Sequence, residues 1–482
     1  MSVTPLRAIE RAVPVALAGL EPAAQAEVGT CLAARGLPRP AAVTLDELAA
    51  AIDAGAIVGA WLDPEPATVA ALATAARAAA AASRPLVVLA RPTRPRAIEV
   101  VAALAYLRAH GAVLAPDPDA WLEALCLLWW HGLPTGPRAA VIAPDGSWLA
   151  VAAASLGDDD ARRPAIASSG DELAPVDVAL IAGGSWAEVP GRKSTPALVV
   201  PLVARAELAA DAPDGALLGL RPALAAVTAT GRAAERIRAG LGAAARTARG
   251  ELEVDEERLE RQLGKLIPTD TRLGDHETKV LLSAYGVPIT RQAVATTASA
   301  ALRIAKKAGF PVDVKPWGAD VPSERAGCPV ERGLATAAEV RRAYAAVLGH
   351  GKPGASVDEG AVIVRETPPP GREVSATIAP LGPLGWTVVL DVPGHAPVAA
   401  PAPLRVADAS ALAHVLVASR AGDAEPDRVG LANLLRRASH LIVDHADRLT
   451  RLDLSTIVVG AKGERTLVVD ASLGTGSRVS TR

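Results

Sequence analysis

RLGDHETKVLLSAYGVPITRQAVATTASAALRIAKKAGFPVDVKPW, residues 272–317, decides the fold of this chain. It reads as helix, tight turn, strand, helix, strand. His276 to Ala284 suits a short helix with Val280, Leu281 and Leu282 on its apolar side. Tyr285-Gly286-Val287-Pro288 ends it, because glycine takes a left-handed turn and proline cannot continue a helix. Thr297 to Ala308 reads as a second helix, with Lys306 and Lys307 in the last turn, where the helix dipole favours cations. Gly309 stops it, and Phe310 to Lys315 is a short strand ending on a lysine.

Working outward, 482 residues are too many for one domain and suit two to four. Hydrophobic residues make up 50% and charged residues 21%, a globular balance. Lysine and arginine number 50 against 52 aspartates and glutamates, so no basic field for nucleic acid or anionic lipid is expected. Aromatic residues are only 2%, so the cores must be built from Ala, Val and Leu. Cys31, Cys126 and Cys328 lie far apart, with no metal spacing and an odd count, which points to a reducing cytoplasm. The stretch from Arg11 to Gly19 is only weakly like a secretory signal, and no apolar run is long enough to span a membrane.

Residues 1–133 alternate strands and helices, with unbroken apolar strands at Val13–Leu20, Ala56–Leu62 and Pro85–Ala90. Such strands between helices indicate a parallel sheet covered on both faces. A second unit of the same kind, 134–245, has strands at Arg138–Ala143, Asp177–Ala182 and Ala197–Leu202. Residues 243–267, charged with leucines on one side, read as a helix, and 246–267 as the connector to a third domain, 268–482. There, strands are expected at Ala361–Glu366, Glu373–Ile378 and Trp386–Asp391. Helices are expected at Ala409–Ser419, N-capped by Asp408, and Val429–Asp447. A last hairpin pairs Ser455–Val459 with Arg465–Asp470. Gly183-Gly184-Ser185, at a strand end, is a weak anion-loop candidate.

Glu277, Lys279, Leu281, Leu282, Tyr285, Gly286, Pro288, Gly309, Phe310, Pro311, Val312 and Lys315 follow a pattern in order. It is acidic-x-K-x-LL-x-x-YGIP, a helix, then G-[FY]-P-V-V-x-K. The chain therefore resembles the NDP-forming acyl-CoA synthetases of the succinyl-CoA ligase superfamily. The resemblance implies an α/β fold: two tandem flavodoxin-like parallel-sheet domains, then an ATP-grasp domain. Arg84–Ala90 and Pro134–Gly146 are similar to that family's KPVVVLK strand and a Gly-containing turn.

The resemblance also implies site residues. Lys315 matches the phosphate-contacting lysine, while Glu366 and Glu373, in VIVRETPPPGREV, fall at the nucleotide-contacting hinge. Asp470 matches a magnesium-binding aspartate, and Ser455 stands where its asparagine companion would be, with Asp453 two residues before. Lys315 and Asp470 are thus expected to face one cleft, with Mg2+ and ATP or ADP as cofactors. Departures accumulate too. PSERAGCPVERGL lacks the family's His-Lys pair, and DVPGHAPVAA replaces a Gly-rich loop. Arg91–Gly111 holds only His110 where the family has the Ser-His-Thr-Gly loop of its phosphorylated histidine, so no catalytic residue is assigned. The family's CoA-binding domain is not found in the sequence.

Three readings stand. One is a divergent relative that binds Mg-ATP or Mg-ADP but is impaired in the ligase cycle on its own. Another is an active ligase subunit completed by a separate CoA-binding chain. The third is a non-catalytic structural or regulatory scaffold. Each implies a cytoplasmic oligomer without nucleic-acid or membrane partners.

Overall fold

The computed structural model describes residues 13–91, 97–156, 164–168, 176–182, 198–203, 213–240, 252–264, 272–349, 360–416 and 424–476. The Gly183-Gly184-Ser185 loop lies outside them. The chain divides into two compact units: residues 1–95 with 103–241, and residues 96–102 with 242–482.

In the first unit the strands are β1 (Val15–Ala18), β2 (Ala41–Val43), β3 (Ile57–Leu62), β4 (Val87–Ala90) and β5 (Val113–Ala115). The helices between and after them are α1 (Pro22–Ala33), α2 (Leu48–Asp53), α3 (Pro66–Ala81), α4 (Ile98–Ala109, of which 103–109 fall in this unit) and α5 (Pro118–Trp130). All pairings are parallel, in the order β2-β1-β3-β4-β5. The pattern repeats with β6 (Ala139–Ile142), α6 (Trp148–Ala154), β7 (Ala165–Ala167), β8 (Val178–Ala182), β9 (Leu198–Val203), β10 (Leu217–Leu218) and α7 (Leu220–Arg238). Its order β10-β9-β8-β6-β7, read from the other edge, is the same 2-1-3-4-5 arrangement, the flavodoxin-like one. The inner strands of both sheets are buried on both faces, which is why they read as unbroken apolar runs, while the edge strands β2 and β7 are largely exposed. One apolar cluster runs from Val15, Leu17 and Val87 through Trp121 and Leu125 to Val141, Val178 and Leu224.

Helix α7 packs on α5, and sequence reading did not anticipate it. A Cβ at Gly231 would lie 2.4 Å from the Gly136 carbonyl, so the glycine lets helix and loop backbone touch. Arg35 reaches Glu123 on α5 at 2.8 Å and the Ala216 carbonyl, also at 2.8 Å. Glu123 in turn accepts from the backbone N–H of Leu218 on β10 at 2.9 Å. His110 sits just past α4, its ring nitrogen 2.8 Å from the Tyr106 carbonyl.

The second unit contains α8 (Glu256–Leu263), β11 (Arg272–Leu273), α9 (Asp275–Ala284), β12 (Gln292–Ala295), α10 (Ala298–Ala308), β13 (Val312–Pro316), β14 (Glu331–Leu334) and α11 (Ala337–Gly349). Next come β15 (Val362–Glu366), β16 (Arg372–Pro380), β17 (Trp386–Asp391), β18 (Val398–Pro401), α12 (Val406–Ala413), α13 (Arg428–Asp444), β19 (Leu449–Val459) and β20 (Leu467–Thr475). They form antiparallel sheets of four strands, β12-β15-β13-β14, and of six, β11-β20-β19-β16-β17-β18. Gly286 takes φ 68°, the left-handed turn expected of it after α9.

Several local expectations need correction. The charged stretch 243–267 is helical, among the described residues, only over Glu256–Leu263, because Asp255 caps that helix by accepting from the Arg258 N–H. Helix α12 starts earlier than expected, behind Arg405. Asp408 lies inside its first turn, where it pairs with the Arg405 guanidinium at 2.8 Å instead of capping. The final hairpin strands are longer than expected because both bury a face on the α13 side of the sheet. Among the described residues, no helix is long and apolar enough to cross a membrane.

The Arg35–Glu123 pair is buried, and a charge stripped of its partner there keeps its desolvation penalty. Replacing Glu123 with alanine should lower the stability of the first unit by about 3–5 kcal/mol. Urea unfolding followed by circular dichroism measures this, and a loss below about 1 kcal/mol would mean that the pair behaves as a solvated surface pair.

Candidate functional site

Strand β13 alternates. Val312 and Val314 point into a core with Val362 and Val364, so Asp313 and Lys315 take the opposite face. In the antiparallel register Asp313 stands opposite Arg365 on β15. This places three charges, Asp313, Lys315 and Arg365, on one face of the four-stranded sheet. A fourth comes from β20 of the six-stranded sheet, where Asp470 stands 2.8 Å from Lys315 Nζ. Breaks in the β19–β20 register between Asp453 and Ile457 make Thr456 the residue paired with Asp470. Bulges commonly re-aim a side chain beside a site.

Helix α9 adds Asp275 and Lys279, one turn apart and hence on one face. Asp275 accepts from Lys279 at 3.1 Å and Lys315 at 3.0 Å, and from the Ala471 N–H on β20 at 3.0 Å. Lys279 also donates to Thr290 and Gln292, each at 2.9 Å, and to the Val469 carbonyl. The one-turn 3-10 helix Glu324–Ala326 supplies the last carboxylate. Glu324 lies 3.4 Å from Lys315 Nζ, pairs closely with Arg365, and takes Arg332 at 2.7 Å. Its own N–H donates to Asp470 at 3.0 Å. Arg365 also holds Asp313 at 3.1 Å, and Asp313 accepts from the Thr367 hydroxyl and the Gly333 N–H.

Three cations, Lys279, Lys315 and Arg365, thus meet four carboxylates, Asp275, Asp313, Glu324 and Asp470. All seven side chains are at most 7% exposed. Exposed Arg332 restores neutrality from the rim. Burial depresses the Lys279 ammonium to about 7, even against the pull of Asp275. Burial alone would raise Asp275, but Lys279 and Lys315 overcome it and hold the carboxyl at about 2. Burial likewise opposes ionisation of Glu324, and Arg365 and Lys315 bring it to about 2. For Lys315, burial is outweighed by Asp275 and Asp470, so its pKa is raised.

Two spaces adjoin this network. A small one of about 10 Å³, the scale of a single water, is lined by Asp275, Lys315, Ser323 and Asp470. A larger cavity of about 370 Å³ is lined by Asp313, Glu324, Arg325, Arg332 and Arg365. Thr367 to Gly371, Glu373, Thr456, Val458 and Val469 complete the lining.

Of the residues singled out from sequence, Lys315 and Asp470 are in direct contact, and Glu373 is exposed on the wall of the larger cavity. Glu366 is absent from that lining. Its carboxylate accepts from the Arg291 N–H and side chain and from Arg465 at 3.0 Å. Ser455 is half-buried, and Thr456 takes the place opposite Asp470. Asp453 bonds Thr377 and Arg451. Both Asp470 oxygens are engaged, by Lys315 Nζ and the Glu324 N–H. No group of three or more potential metal ligands occurs among the described residues. In this arrangement the donor set does not fit a magnesium ion, and no step is derived through one.

Sequence reading did not single out Asp275, Asp313, Glu324 and Arg365, and it used Lys279 only as a motif match. The available signal was charge alternating with valine in VDVK and VIVRE: a buried strand face carries charges only where partners are built to meet them.

The same segment is similar to known proteins. Residues 266–474 match the ATP-grasp domain family. The beta subunit of acetate–CoA ligase [ADP-forming] II from Pyrococcus furiosus is 24% identical over 222 residues, covering 42% of this chain and 91% of that one. The 4-hydroxybutyrate–CoA ligase [ADP-forming] of Nitrosopumilus maritimus is 25% identical over 215 residues, and the match spans 30% of its length. A dinucleotide-forming acetyl-coenzyme A synthetase 1 from Ca. Korarchaeum cryptofilum, solved with coenzyme A and Ca-AMPCP, matches at 25% identity. That match covers 45% of this chain and 96% of that one, with a TM-score of 0.39. The second unit of this chain carries an ATP-grasp domain resembling that of ADP-forming acyl-CoA synthetases.

Asp275 and Glu324 stabilise the fold as anions, since both pKa values lie below their unfolded values of 3.8 and 4.5. That stability is present above those unfolded values and is lost as pH falls towards about 2. Acid unfolding should therefore steepen below the ordinary carboxylate range, and Asp275→Asn should flatten the profile. An unchanged acid limb in the variant would show that Asp275 is not held ionised.

Proposed function

We propose that the second unit binds an adenine nucleotide in the larger cavity, and that the isolated chain does not complete the acid–CoA ligase cycle. One observation carries the reading: a cavity of about 370 Å³ whose lining combines three arginines with prolines and valines, within the segment that matches ATP-grasp domains. Arg325, Arg332 and Arg365 supply charge for phosphates, guanidinium groups being suited to bidentate anion contacts. Pro368, Pro369, Pro370, Val458 and Val469 supply an apolar slot for a base. Lys315 reaches the phosphates from behind Glu324, and Glu373 faces the ribose side.

The ligase reaction asks for more than nucleotide binding. It needs a CoA thiol site and an imidazole to relay phosphate, because covalent relay splits one hard step into two easier ones. The region of the expected relay loop holds only His110, whose ring nitrogen is engaged with the Tyr106 carbonyl. Similarity to a chain named as a beta subunit favours a partner chain supplying the CoA site.

Calorimetry should detect Mg-ADP or Mg-ATP binding at millimolar concentration, abolished by Lys315→Met with the fold checked by circular dichroism. Absence of heat with both nucleotides would remove the nucleotide reading and favour a scaffold. A coupled assay of the isolated chain with CoA, ATP and acids from acetate to aromatic acids should give no turnover above background. Turnover abolished by Lys315→Met would establish a working ligase in the single chain.

A further inference from the structure

The turn Ser323–Arg325 stands between the two spaces at the site. Ser323 lines the small space beside Lys315 and Asp470, while Glu324 and Arg325 line the large cavity. The Glu324 carboxylate receives charge from three cations at once: Lys315 at 3.4 Å, Arg365 through both Nη atoms, and Arg332 at 2.7 Å. Two of these cations, Lys315 and Arg365, come from adjacent antiparallel strands and are nearly fully buried. Converging cations of this kind form a seat for an anion with several oxygens, such as a phosphate. Here the chain's own carboxylate takes that seat.

The segment carrying Glu324 is tethered lightly. It runs between Gly318, at φ 153°, and Gly327, at φ 95°, backbone settings that only glycine adopts easily. Between them lie one 3-10 turn, bends and exposed residues. The turn is held to the sheets by the Glu324 side chain, by the Glu324 N–H on Asp470, and by Arg325 on Ser375 at 2.9 Å. All three contacts are polar, and a polyanion can take over the one made by the Glu324 carboxylate with Lys315, Arg365 and Arg332.

We propose that Glu324 is an internal stand-in for the ligand phosphate, and that the 318–327 segment is a strap that must swing out before a nucleotide polyphosphate reaches Lys315. The inference rests on the nucleotide reading above for the identity of the ligand, but the anion seat can be tested separately. Release of Glu324 opens Lys315 to the large cavity and frees one Asp470 oxygen, the one now holding the Glu324 N–H. Affinity in the wild-type chain is then reduced by the share of molecules in which the strap is closed.

The test compares wild type with Glu324→Gln, which keeps the shape and removes the charge, using inorganic tripolyphosphate and Mg-ADP as separate probes. The variant should bind tripolyphosphate more tightly by at least about tenfold, the weight of one charge-assisted hydrogen bond. Equal or weaker tripolyphosphate binding by the variant overturns the proposal. A gain for tripolyphosphate without any Mg-ADP binding leaves the strap standing and removes the nucleotide reading. Mg-ADP binding that the substitution leaves unchanged, with no tripolyphosphate gain, does the reverse. If the variant fails to fold, hydrogen exchange on the wild type decides. Amides of residues 320–328 should exchange faster with saturating tripolyphosphate, and unchanged or slower exchange overturns the strap.

Discussion

Lys315 is the pivot of the second unit. Its ammonium is nearly fully buried and could not remain charged there without carboxylates from three separate places: the head of α9, the 3-10 turn and β20. Each of those carboxylates is in turn fixed by another cation or by a backbone N–H. Removing any member strands a partner in a medium that does not solvate it, so the network either forms whole or distorts. It thereby fixes the position of the four-stranded sheet against β20 more sharply than apolar packing alone, which tolerates small slides.

The fold explains why the network lies where it does. Period-two alternation gives β13 and β15 a valine face for their own core and a charged face for the other sheet. The β19–β20 ladder is regular in its long apolar stretches and irregular only between Leu449 and Arg451 and around Asp453–Ile457. The second irregularity falls beside Asp470, where a regular strand would have continued to alternate. The same residues therefore build the sheet and interrupt it at the point where charge must turn inward.

How much of this was legible follows from range. Several short-range signals held: Gly286 in its left-handed turn, Thr297 capping α10 through the Ala300 N–H, and the apolar strands of both parallel sheets, whereas the expected Asp408 cap did not. The motif from Glu277 to Lys315 led to the ATP-grasp domain, because it combines a helix stop, a helix and a strand in fixed order. Lys315 and Asp470 were singled out because each belongs to such a motif. Glu324 and Arg365 were not, since their meaning lies in a contact between residues 41 apart in the chain, and single-sequence periodicity carries no such pairing. Helix α7 escaped for a different reason. Buried Leu220, Leu224, Val227, Gly231 and Ala234 alternate at helical spacing with exposed Arg221, Arg232, Glu235 and Arg238, an amphipathic pattern that the reading of strands in that segment passed over. The hinge glutamates divided by strand parity: Arg365 faces the cavity, so Glu366, one residue on, faces the Arg291 and Arg465 side chains instead.

A site for polyphosphate faces a physical conflict. It must gather cations, yet gathered cations in a dry cleft repel one another and weaken the fold unless anions accompany them. This chain resolves the conflict with its own carboxylates, and the surplus of one buried anion is balanced by Arg332 at the rim. The solution favours a closed, well-bonded cleft over one ready for ligand. It also assigns separate roles to the carboxylates. Asp275 and Asp313 are tied to elements of regular structure, through the Ala471 N–H on β20 and the Gly333 N–H on β14, so they can stay when a ligand arrives. Glu324 sits on a single 3-10 turn between two left-handed glycines, so of the four it is the one that can leave without unmaking a sheet or a long helix.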